Sequence, residues 1–271
     1  MPKPILVFDS GIGGLTILEE IKQVLPDERY IYLFDNARLP YGELSEQTLI
    51  DGCVSLITKF IKLNPVSMVV IACNTASTLI LPALRAELDI PIVGVVPAVK
   101  PAAVLSKRKH IGLLATPGTI KRTYTHELIT QFADNCKVEL YGSSELVLLA
   151  EQKAAGLLVT KDQIARILQP LLDSEIDTLV LGCTHFPILR DEMQAYLGEA
   201  VSLVDSGKAI AARVVNLIEQ QAYIEQKEVG SINELNETTK NTAFYTSDSV
   251  GVGLKTTLIS FGLTVISKVN L

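Results

Sequence analysis

The sequence predicts an α/β fold of two similar domains, with mainly parallel sheets and the active site in the cleft between them. Short apolar, β-branched segments alternate with amphipathic segments, a pattern typical of parallel strands joined by helices. The segments Val69–Cys73 and Leu179–Cys183 each end in a cysteine after a similar apolar run, and the cysteines lie 110 residues apart. Ile92–Val95 lies the same 110 residues before Ser202–Asp205. This constant offset indicates two related halves.

Eight apolar segments predict the strands, four in each half of the chain. In the first half they are Ile5–Phe8, Tyr30–Phe34, Ser67–Ala72 and Ile92–Val95. In the second half they are Ile111–Ala115, Lys137–Tyr141, Asp177–Gly182 and Ser202–Val204. Helices are predicted between the strands, and in Glu46–Lys62 and Lys161–Leu172 the apolar residues recur at intervals of three and four.

The end of the chain adds a small tail to this pattern. A helix is predicted near Ala209–Ile224, and the polar stretch Glu225–Asn241 after it predicts a loop or a poorly ordered linker. Ala243–Thr246 and Leu263–Ile266 then predict two strands that flank a helix. Because this tail is too small to be a domain, we expect it to complete the first one.

The predicted domain boundaries follow from this arrangement. The first α/β domain comprises residues 1–97 plus 208–271, and the second comprises residues 98–207. The segment Pro97–Pro101 lies at the crossing, and its prolines and alanine suit a hinge between the two domains.

Composition and charge indicate a globular protein. Apolar residues make up 48% of the 271 residues and charged residues 20%, which excludes a disordered chain. The formal net charge of -6 argues against a nucleic-acid partner. An anionic substrate would therefore need a local positive potential, because the overall charge of the protein would not attract it.

The cysteines and the start of the chain favour a cytoplasmic location. Four cysteines without a CxxC pair disfavour a disulfide framework, a zinc knuckle and a thioredoxin-type site. Asp9 interrupts the first apolar segment too early for a signal peptide. The uncharged stretch Leu63–Leu84 contains prolines and several polar residues, so it favours a buried strand, loop and helix over a membrane span.

Cys73 and Cys183 are the strongest candidates for chemistry. Each is expected at the carboxyl end of a buried parallel strand, where open α/β sheets bind ligands. The helix predicted after each cysteine would lower the thiol pKa toward neutrality and offer backbone N–H groups to a carboxylate. One such cysteine alone would be explained as a small buried hydrophobe. Two in matched settings favour a base and an acid on opposite faces of one carbon.

Polar residues near other strand ends complete the candidate site. Asp9 and Ser10 begin a glycine-bearing loop that departs from the dinucleotide-binding fingerprint. The Ser10 hydroxyl could bind an anion, and Asp9 could bind an ammonium group or support Cys73. The Tyr41 hydroxyl and the Gly42 N–H could receive a second carboxylate. Taken alone, the two motifs would also suit a helix cap and an ordinary turn.

Further polar groups lie next to the two thiols in sequence. Asn74, Thr75 and Thr184 would provide neutral hydrogen-bond donors. His185 could tune the thiol of the second cysteine or help to protonate the substrate. Glu151 is a weaker candidate for the cleft, since a carboxylate at a helix end is more commonly solvated.

Other site chemistries lack their sequence signals. No third ligand accompanies Cys183 and His185, so a metal site is not expected. The chain has no GxSxG elbow and no P-loop, which disfavours serine-nucleophile chemistry and phosphate transfer. The motifs contain no lysine that would indicate a pyridoxal Schiff base, and no cofactor is expected.

Four motifs keep a recognisable order along the chain. They are Asp9–Leu15, Pro40–Gly42, Ala72–Ser77 and Gly182–Pro187. Together they resemble the bacterial glutamate racemases of the aspartate/glutamate racemase family. The resemblance implies a cofactor-independent two-base interconversion of L- and D-glutamate that supplies D-glutamate for peptidoglycan synthesis. It also implies two α/β domains around the active site, a cytoplasmic enzyme and, in most cases, a homodimer.

The resemblance also implies roles for individual residues. Cys73 and Cys183 would be the proton donor and acceptor, and Asp9 and His185 would assist proton transfer. The substrate-binding residues would be Asp9, Ser10, Tyr41, Gly42, Asn74, Thr75, Thr184 and His185.

Three other functions stay open on the residues alone. An aspartate racemase would share the cysteine pair and differ in the pocket for the distal carboxylate. A non-catalytic amino-acid sensor would bind glutamate tightly without exchanging its Cα hydrogen. A thiol-redox protein is disfavoured because the two cysteines lie far apart and serve opposite sides of a cleft. A cell-wall precursor that activates some relatives is a further expected partner.

Overall fold

The computed structural model describes residues 3–228 and 241–270. Within these ranges all strand pairings are parallel, and the strands form two separate sheets flanked by helices. The predicted α/β class with two parallel-sheet domains is therefore confirmed. No helix in the described part of the chain is both long enough and apolar enough to cross a membrane.

The strands divide into a sheet of six and a sheet of four. They are β1 (Ile5–Asp9), β2 (Tyr30–Phe34), β3 (Met68–Ile71), β4 (Ile92–Gly94), β5 (His110–Ala115), β6 (Lys137–Gly142), β7 (Thr178–Leu181), β8 (Ser202–Val204), β9 (Asn241–Tyr245) and β10 (Leu263–Lys268). The larger sheet has the order β10-β9-β2-β1-β3-β4, and the smaller has the order β6-β5-β7-β8. Each of the eight strands predicted in the two halves forms, and its ends differ from the prediction by at most one residue.

Eleven helices connect the described strands. They are α1 (Leu15–Val24), α2 (Glu46–Leu63), α3 (Asn74–Glu87), α4 (Val99–Leu105), α5 (Pro117–Lys121), α6 (Thr123–Phe132), α7 (Glu145–Ala154), α8 (Lys161–Leu172), α9 (Arg190–Leu197), α10 (Gly207–Glu228) and α11 (Val252–Ser260). Short 3₁₀ turns cover Tyr41–Glu43 and Phe186–Leu189. Side-chain caps set several starts: Thr160 and Gln163 form a reciprocal capping box at the beginning of α8.

Strand β1 shows why the central strands are continuous apolar runs. Ile5 and Val7 pack against α1 and α10 on one face of the sheet. Leu6 and Phe8 pack against α2 and α3 on the other face. Because helices cover both faces, alternation of apolar and polar residues disappears. This packing fixes the positions of the polar residues that follow the central strands.

The tail joins the larger sheet, since β9 pairs with β2 in parallel. The loop predicted for Glu225–Asn241 is wrong at both ends, because α10 continues to Glu228 and β9 begins at Asn241. Residues 225–228 are Glu, Gln, Lys and Glu, which are good helix formers and extend an existing helix at little cost. Residues 229–240 of that stretch lie outside the described residues.

The two sheets are linked where the chain leaves β4 and β8. There the Ser206 hydroxyl donates a hydrogen bond to the Val96 carbonyl at 2.5 Å, which ties the two connections together. The exact domain boundaries, at 97/98 and 207/208, stay a prediction.

Candidate active site

The carboxyl ends of the central strands of both sheets lie at one cleft. β1 ends at Asp9, β3 is followed by Cys73, and β7 is followed by Cys183. The Thr184 hydroxyl donates to Asp9 Oδ2 at 3.0 Å, although these residues are 175 positions apart. Motifs that are distant in sequence therefore meet at the edge where parallel sheets place their ligands.

A chain of three polar side chains lies on the side of the larger sheet. The Cys73 thiol donates to the Ser10 hydroxyl at 3.8 Å, and that hydroxyl donates to Asp9 Oδ1 at 3.5 Å. Asp9 Oδ1 also accepts the backbone N–H of Gly11 at 2.9 Å. All three side chains are buried. A proton on Cys73 is therefore connected to a carboxylate through one hydroxyl.

A second chain of three side chains lies on the side of the smaller sheet. Cys183 Sγ is 3.8 Å from His185 Nδ1, and His185 Nε2 is 2.7 Å from Glu151 Oε1. Glu151 Oε1 also accepts the backbone N–H of Ile12 at 2.7 Å, a contact between the two sheets' segments. The order thiol, imidazole, carboxylate is the arrangement that activates a cysteine in nucleophilic and acid–base sites.

The glycines of the first loop make room for this second chain. A Cβ atom on Gly13 would lie 2.5 Å from His185 Nδ1 and 2.7 Å from the backbone nitrogen of His185. A Cβ atom on Gly11 would overlap the Glu151 carboxylate. The glycine-bearing motif therefore serves close approach between the two sheets, and no phosphate-binding role is needed to explain it.

The electrostatics of Cys73 differ from the sequence-based expectation. Cys73 stands at the N-cap of α3, as predicted. Its pKa is nevertheless raised well above the usual value, because burial and the neighbouring Asp9 charge outweigh the N–H of Ala76. The predicted lowering of this thiol pKa is wrong, since the helix terminus acts on a group that is almost fully desolvated. Cys73 is therefore a protonated thiol at neutral pH.

Cys183 is also placed differently from the prediction. The thiol is buried, but a 3₁₀ turn follows it and α9 begins only at Arg190. An α-helix amino terminus is therefore not the neighbour of this thiol. The His185 imidazole takes that place.

The pKa values of Asp9 and His185 are shifted by burial and by neighbouring groups. Burial raises the pKa of Asp9, and His185, the Gly11 N–H and Thr184 offset part of this effect. Burial alone would lower the pKa of His185, but the contacts with Cys183 and Glu151 hold it well above its usual value. His185 is thus an imidazolium at neutral pH, and it lies beside a thiol and a carboxylate.

Glu151 is the site residue that the sequence analysis undervalued. The interpretation as a solvated helix-end carboxylate is wrong, because the Glu151 side chain is only 17% exposed and contacts both His185 and the glycine-bearing loop. One signal was present in the sequence: Glu151 lies 110 residues after Tyr41, the offset that relates the two halves. That offset indicates the same sheet end, but it cannot show that the carboxylate points inward.

The Tyr41 hydroxyl, which is expected to receive a second carboxylate of the substrate, bonds to a carboxylate of the protein in this structure. Tyr41 is buried, and its hydroxyl donates to Asp35. Asp35 also accepts the Thr246 hydroxyl at 2.7 Å and pairs with Arg38 at 2.5 Å. A hydroxyl has one hydrogen to donate, so Tyr41 cannot give it to a substrate carboxylate at the same time.

Gly42 lies against a cluster of threonines in which Thr75 follows a strand of the larger sheet and Thr116 and Thr119 follow a strand of the smaller one. Thr75, Thr116 and Thr119 are buried, and their hydroxyl oxygens lie 2.9 to 3.1 Å from one another. A Cβ atom on Gly42 would lie 2.6 Å from the Thr116 Cβ atom. This contact closes the cleft beside Thr75 and gathers several hydroxyl groups next to the Gly42 backbone.

Asn74 contributes a buried polar atom that is free to bind a ligand. Among the described residues, its Oδ1 atom has no hydrogen-bond partner although the side chain is buried. Such unpaired buried atoms are uncommon in folded proteins. Asn74, Cys183 and Thr184 line a cavity of about 150 Å³ that extends to Ser206. The cleft therefore contains a polar space next to one of the two thiols.

The described residues contain no group of three or more His, Cys, Asp and Glu side chains arranged to hold a metal ion. The predicted site residues fall into two hydrogen-bonded groups: Asp9, Ser10, Cys73 and Thr184 form one, and Cys183 and His185 form the other together with Glu151. Asn74 lines the same cleft, and Thr75 and Gly42 lie together at its threonine side. Tyr41 is turned toward Asp35.

Comparisons with a family model and with known proteins both match this chain to racemases. The sequence model of the family described as Asp/Glu/hydantoin racemase matches residues 12–214. Glutamate racemase of Shewanella woodyi is 62% identical over 269 residues, which cover 99% of this chain and 98% of that protein. The family-model match includes both cysteines and Glu151, and the match to the relative covers nearly the whole chain.

Solved structures agree with the sequence matches. Escherichia coli glutamate racemase, in complex with L-glutamate and the activator UDP-MurNAc-Ala, is 45% identical with a TM-score of 0.89, covering 99% of this chain and 98% of that one. Glutamate racemase of Francisella tularensis, in complex with D-glutamate, is 26% identical with a TM-score of 0.76, covering 99% and 97%.

Proposed function

The chain belongs to the Asp/Glu/hydantoin racemase family and is an amino-acid racemase, and we propose that it interconverts L- and D-glutamate with two cysteines and no cofactor. The observation that carries this proposal is the pair of hydrogen-bonded chains that face one cleft. One chain is Cys73–Ser10–Asp9, and the other is Cys183–His185–Glu151. A stereocentre held between them has a thiol and a supporting carboxylate on each side.

Proton transfer in this site balances without any further reagent. One sulfur, as a thiolate, removes the Cα proton, and the C–H electron pair passes to Cα and its carboxylate. The other sulfur, as a thiol, donates its proton to the opposite face of the same carbon. The stereocentre is inverted, and the two sulfurs have exchanged protonation states. The enzyme is then ready to act on the other enantiomer.

The two sulfurs are supported differently. Burial keeps Cys73 protonated, because its pKa is raised well above the usual value. The His185 imidazolium lies next to Cys183, where it would stabilise the negative charge that this sulfur carries when it acts as the base. Cys73, which is protonated, would be the acid for that direction of the reaction.

Polar groups of the cleft would bind the substrate. Asp9 is placed to bind the ammonium group, and the Asn74 Oδ1 atom can accept a second N–H of that group. The Thr75 hydroxyl supplies a donor for the α-carboxylate. The Ser10 and Thr184 hydroxyls donate to Asp9 in this structure, and each would have to turn from Asp9 to do the same. Donors that face the α-carboxylate stabilise the carbanion that forms when the Cα proton leaves.

The distal carboxylate would bind at the threonine side of the cleft. There the Gly42 backbone lies against Thr116, beside the hydroxyls of Thr75 and Thr119. Tyr41 would contribute through its backbone and through the position of its ring. Because an aspartate side chain is one methylene shorter, this end of the cleft decides between the two amino acids.

The direct test is turnover of L-glutamate in D2O without any added cofactor. We expect the optical rotation to decay toward zero while deuterium enters Cα of the D-enantiomer, because each product molecule receives its proton from a sulfur that has exchanged with solvent. Polarimetry and proton NMR follow the two events. The double variant Cys73→Ser/Cys183→Ser, purified in the same way, controls for contaminating racemases.

The alternatives give different outcomes in the same experiment. Faster turnover of L-aspartate than of L-glutamate would reassign the substrate. Glutamate binding in a calorimeter, with no loss of rotation and no deuterium at Cα, would identify a non-catalytic sensor instead. Either result would end the glutamate racemase proposal.

A cell-wall precursor as activator is part of the proposal. The Escherichia coli relative binds the activator UDP-MurNAc-Ala. We expect saturating UDP-MurNAc-L-Ala to raise kcat/KM for L-glutamate by about tenfold, the size of a typical allosteric coupling. UDP-N-acetylglucosamine, which lacks the lactyl and alanyl groups, should have no effect. Equal rates with and without the precursor would remove activation from the proposal.

The proposal has a cellular side as well. It includes a cytoplasmic location, supply of D-glutamate to peptidoglycan synthesis and assembly as a homodimer. These features are supported by the membership of the family and by the glutamate racemases that match almost the whole chain.

A further inference from the structure

Tyr32 is a buried tyrosine beneath the glycine-bearing loop, and none of the proposed catalytic steps uses it. It lies on β2 and is fully buried. Its hydroxyl donates to the Gly11 carbonyl at 2.7 Å. A Cβ atom on Gly14 would lie 2.9 Å from the same hydroxyl oxygen, so this oxygen lies directly under the loop. The loop is thus tied to the sheet through one side chain.

The carbonyl that accepts the Tyr32 hydroxyl belongs to a peptide group whose N–H contacts Glu151. The Gly11 carbonyl and the Ile12 N–H are the two ends of one planar peptide group. The Ile12 N–H donates to Glu151 Oε1 at 2.7 Å, and that oxygen lies 2.7 Å from His185 Nε2. A continuous row of hydrogen bonds therefore runs from the Tyr32 hydroxyl through one peptide group to Glu151, and then to His185.

This row ends at a thiol of the opposite sheet. His185 Nδ1 is 3.8 Å from Cys183 Sγ. Hydrogen bonds in a buried row polarise one another. A hydrogen bond accepted by the carbonyl of a peptide group therefore makes the N–H of that group a stronger donor. The Tyr32 hydroxyl keeps its hydrogen across the working pH range, because burial and the charges of Asp9, Glu151 and Cys73 raise its pKa well above the usual value.

We propose that Tyr32 is a positioning residue for the Cys183 side of the reaction: its hydroxyl orients the Gly11–Ile12 peptide so that the Ile12 N–H holds Glu151 against His185. The role of this hydroxyl in turnover rests on the proposed racemase function. Its effect on His185 does not, because it is a property of the free protein.

The chain offers a matched control on the same strand. Tyr30 lies two residues before Tyr32 on β2, so both side chains lie on one face of the sheet. Tyr30 is also buried, and its hydroxyl also donates to a backbone carbonyl, that of Leu25, at 2.6 Å. Each Tyr→Phe substitution removes one hydroxyl and leaves one carbonyl without its donor. Only Tyr32 lies under the catalytic loop.

The experiment compares Tyr32→Phe with Tyr30→Phe in two readouts. The first is kcat/KM for L- and D-glutamate. The second is the pKa of His185 in the free protein, measured by NMR of ¹⁵N-labelled histidine. The chain has three histidines, and His110 and His126 serve as internal references. The titratable groups that face His185 are Cys183, Glu151 and Asp9.

We expect Tyr32→Phe to lower kcat/KM about tenfold, the effect of one buried hydrogen bond at an active site. We also expect a lower pKa for His185, because a less well held Glu151 stabilises the imidazolium less. Tyr30→Phe should change neither quantity. A domain of ordinary stability survives the loss of one buried hydroxyl, and thermal melting of both variants checks this.

A double-mutant cycle separates positioning from general destabilisation. If Tyr32 acts through Glu151, Tyr32→Phe should lower kcat/KM by less than about threefold in a Glu151→Gln background. A full tenfold loss in that background, an unchanged His185 pKa, or an equal loss in Tyr30→Phe would each overturn the proposal. Failure of the wild type to racemise glutamate would refute the proposed function, while the His185 titration would still decide the role of Tyr32.

Discussion

Replacing either Cys73 or Cys183 by serine is expected to abolish racemisation, lowering kcat by more than about a thousandfold. A serine hydroxyl is a far weaker acid than a thiol. It can therefore neither lose its proton to become the base nor give it up readily to a carbanion. Serine keeps the size and the hydrogen-bonding capacity of cysteine, so the buried site should stay folded. Polarimetry with L- and D-glutamate measures the loss.

The two serine variants should also differ from each other in a way that reveals two separate bases. Each retains one thiol, which can still remove the Cα proton of one enantiomer and return a solvent-derived one to the same face. We therefore expect Cα deuteration without inversion, of opposite enantiomers in the two variants. Cys136→Ser is the matched control, because Cys136 is partly exposed and its thiol donates to the Asn135 side chain, away from the two hydrogen-bonded chains of the cleft. Near-normal turnover by Cys73→Ser or Cys183→Ser would contradict the two-thiol mechanism.

The local sequence pattern was sufficient to predict the strands and the positions of the residues at their ends. Val69, Val70 and Ile71 form a buried parallel strand because helices cover both faces of the sheet. A residue that follows such a strand, such as Cys73, has its position set by the strand itself. The same argument applies to Asp9 and Cys183, and these three residues meet in the cleft as expected.

The local pattern could not predict properties that depend on contacts between segments distant in sequence. The thiol pKa of Cys73 is decided by the degree of burial, which a strand–helix boundary does not reveal. The direction of the Tyr41 hydroxyl depends on Asp35, and the inward position of Glu151 depends on His185 and Ile12. From the local sequence, each of these side chains could be either exposed to solvent or buried in the site. Only the packing of one sheet against the other decides between them.

The largest effect outside the thiols is expected at His185. His185→Asn removes the imidazolium that stabilises a Cys183 thiolate, and it should lower kcat about a hundredfold. L- and D-glutamate have equal free energies, so kcat/KM must fall by the same factor in both directions even if the two kcat values change unequally. Progress curves started from each enantiomer measure both quantities. Exposed His126 on α6, replaced by asparagine, is the control.

The raised pKa values of His185 and Asp9 predict how the activity changes with pH. The pKa of His185 is raised, so the imidazolium persists through neutral pH and is lost only as the pH rises above that raised value. Wild-type activity should therefore stay level from neutral into mildly alkaline pH. On the acid side it should fall as Asp9, whose pKa is also raised, takes up a proton. His185→Asn should lose the alkaline limb that belongs to the imidazolium, because the titrating group is no longer present.

Glu151→Gln tests whether the charge on that residue matters. Glutamine keeps the shape of the side chain and can still accept the Ile12 N–H, but it no longer stabilises the imidazolium by its charge. We expect an intermediate loss of about tenfold in kcat/KM and an alkaline limb that begins at lower pH than in the wild type. An unchanged alkaline limb in Glu151→Gln, together with normal rates in His185→Asn, would mean that Cys183 acts without the imidazole. The asymmetry between the two sulfurs would then have to come from burial alone.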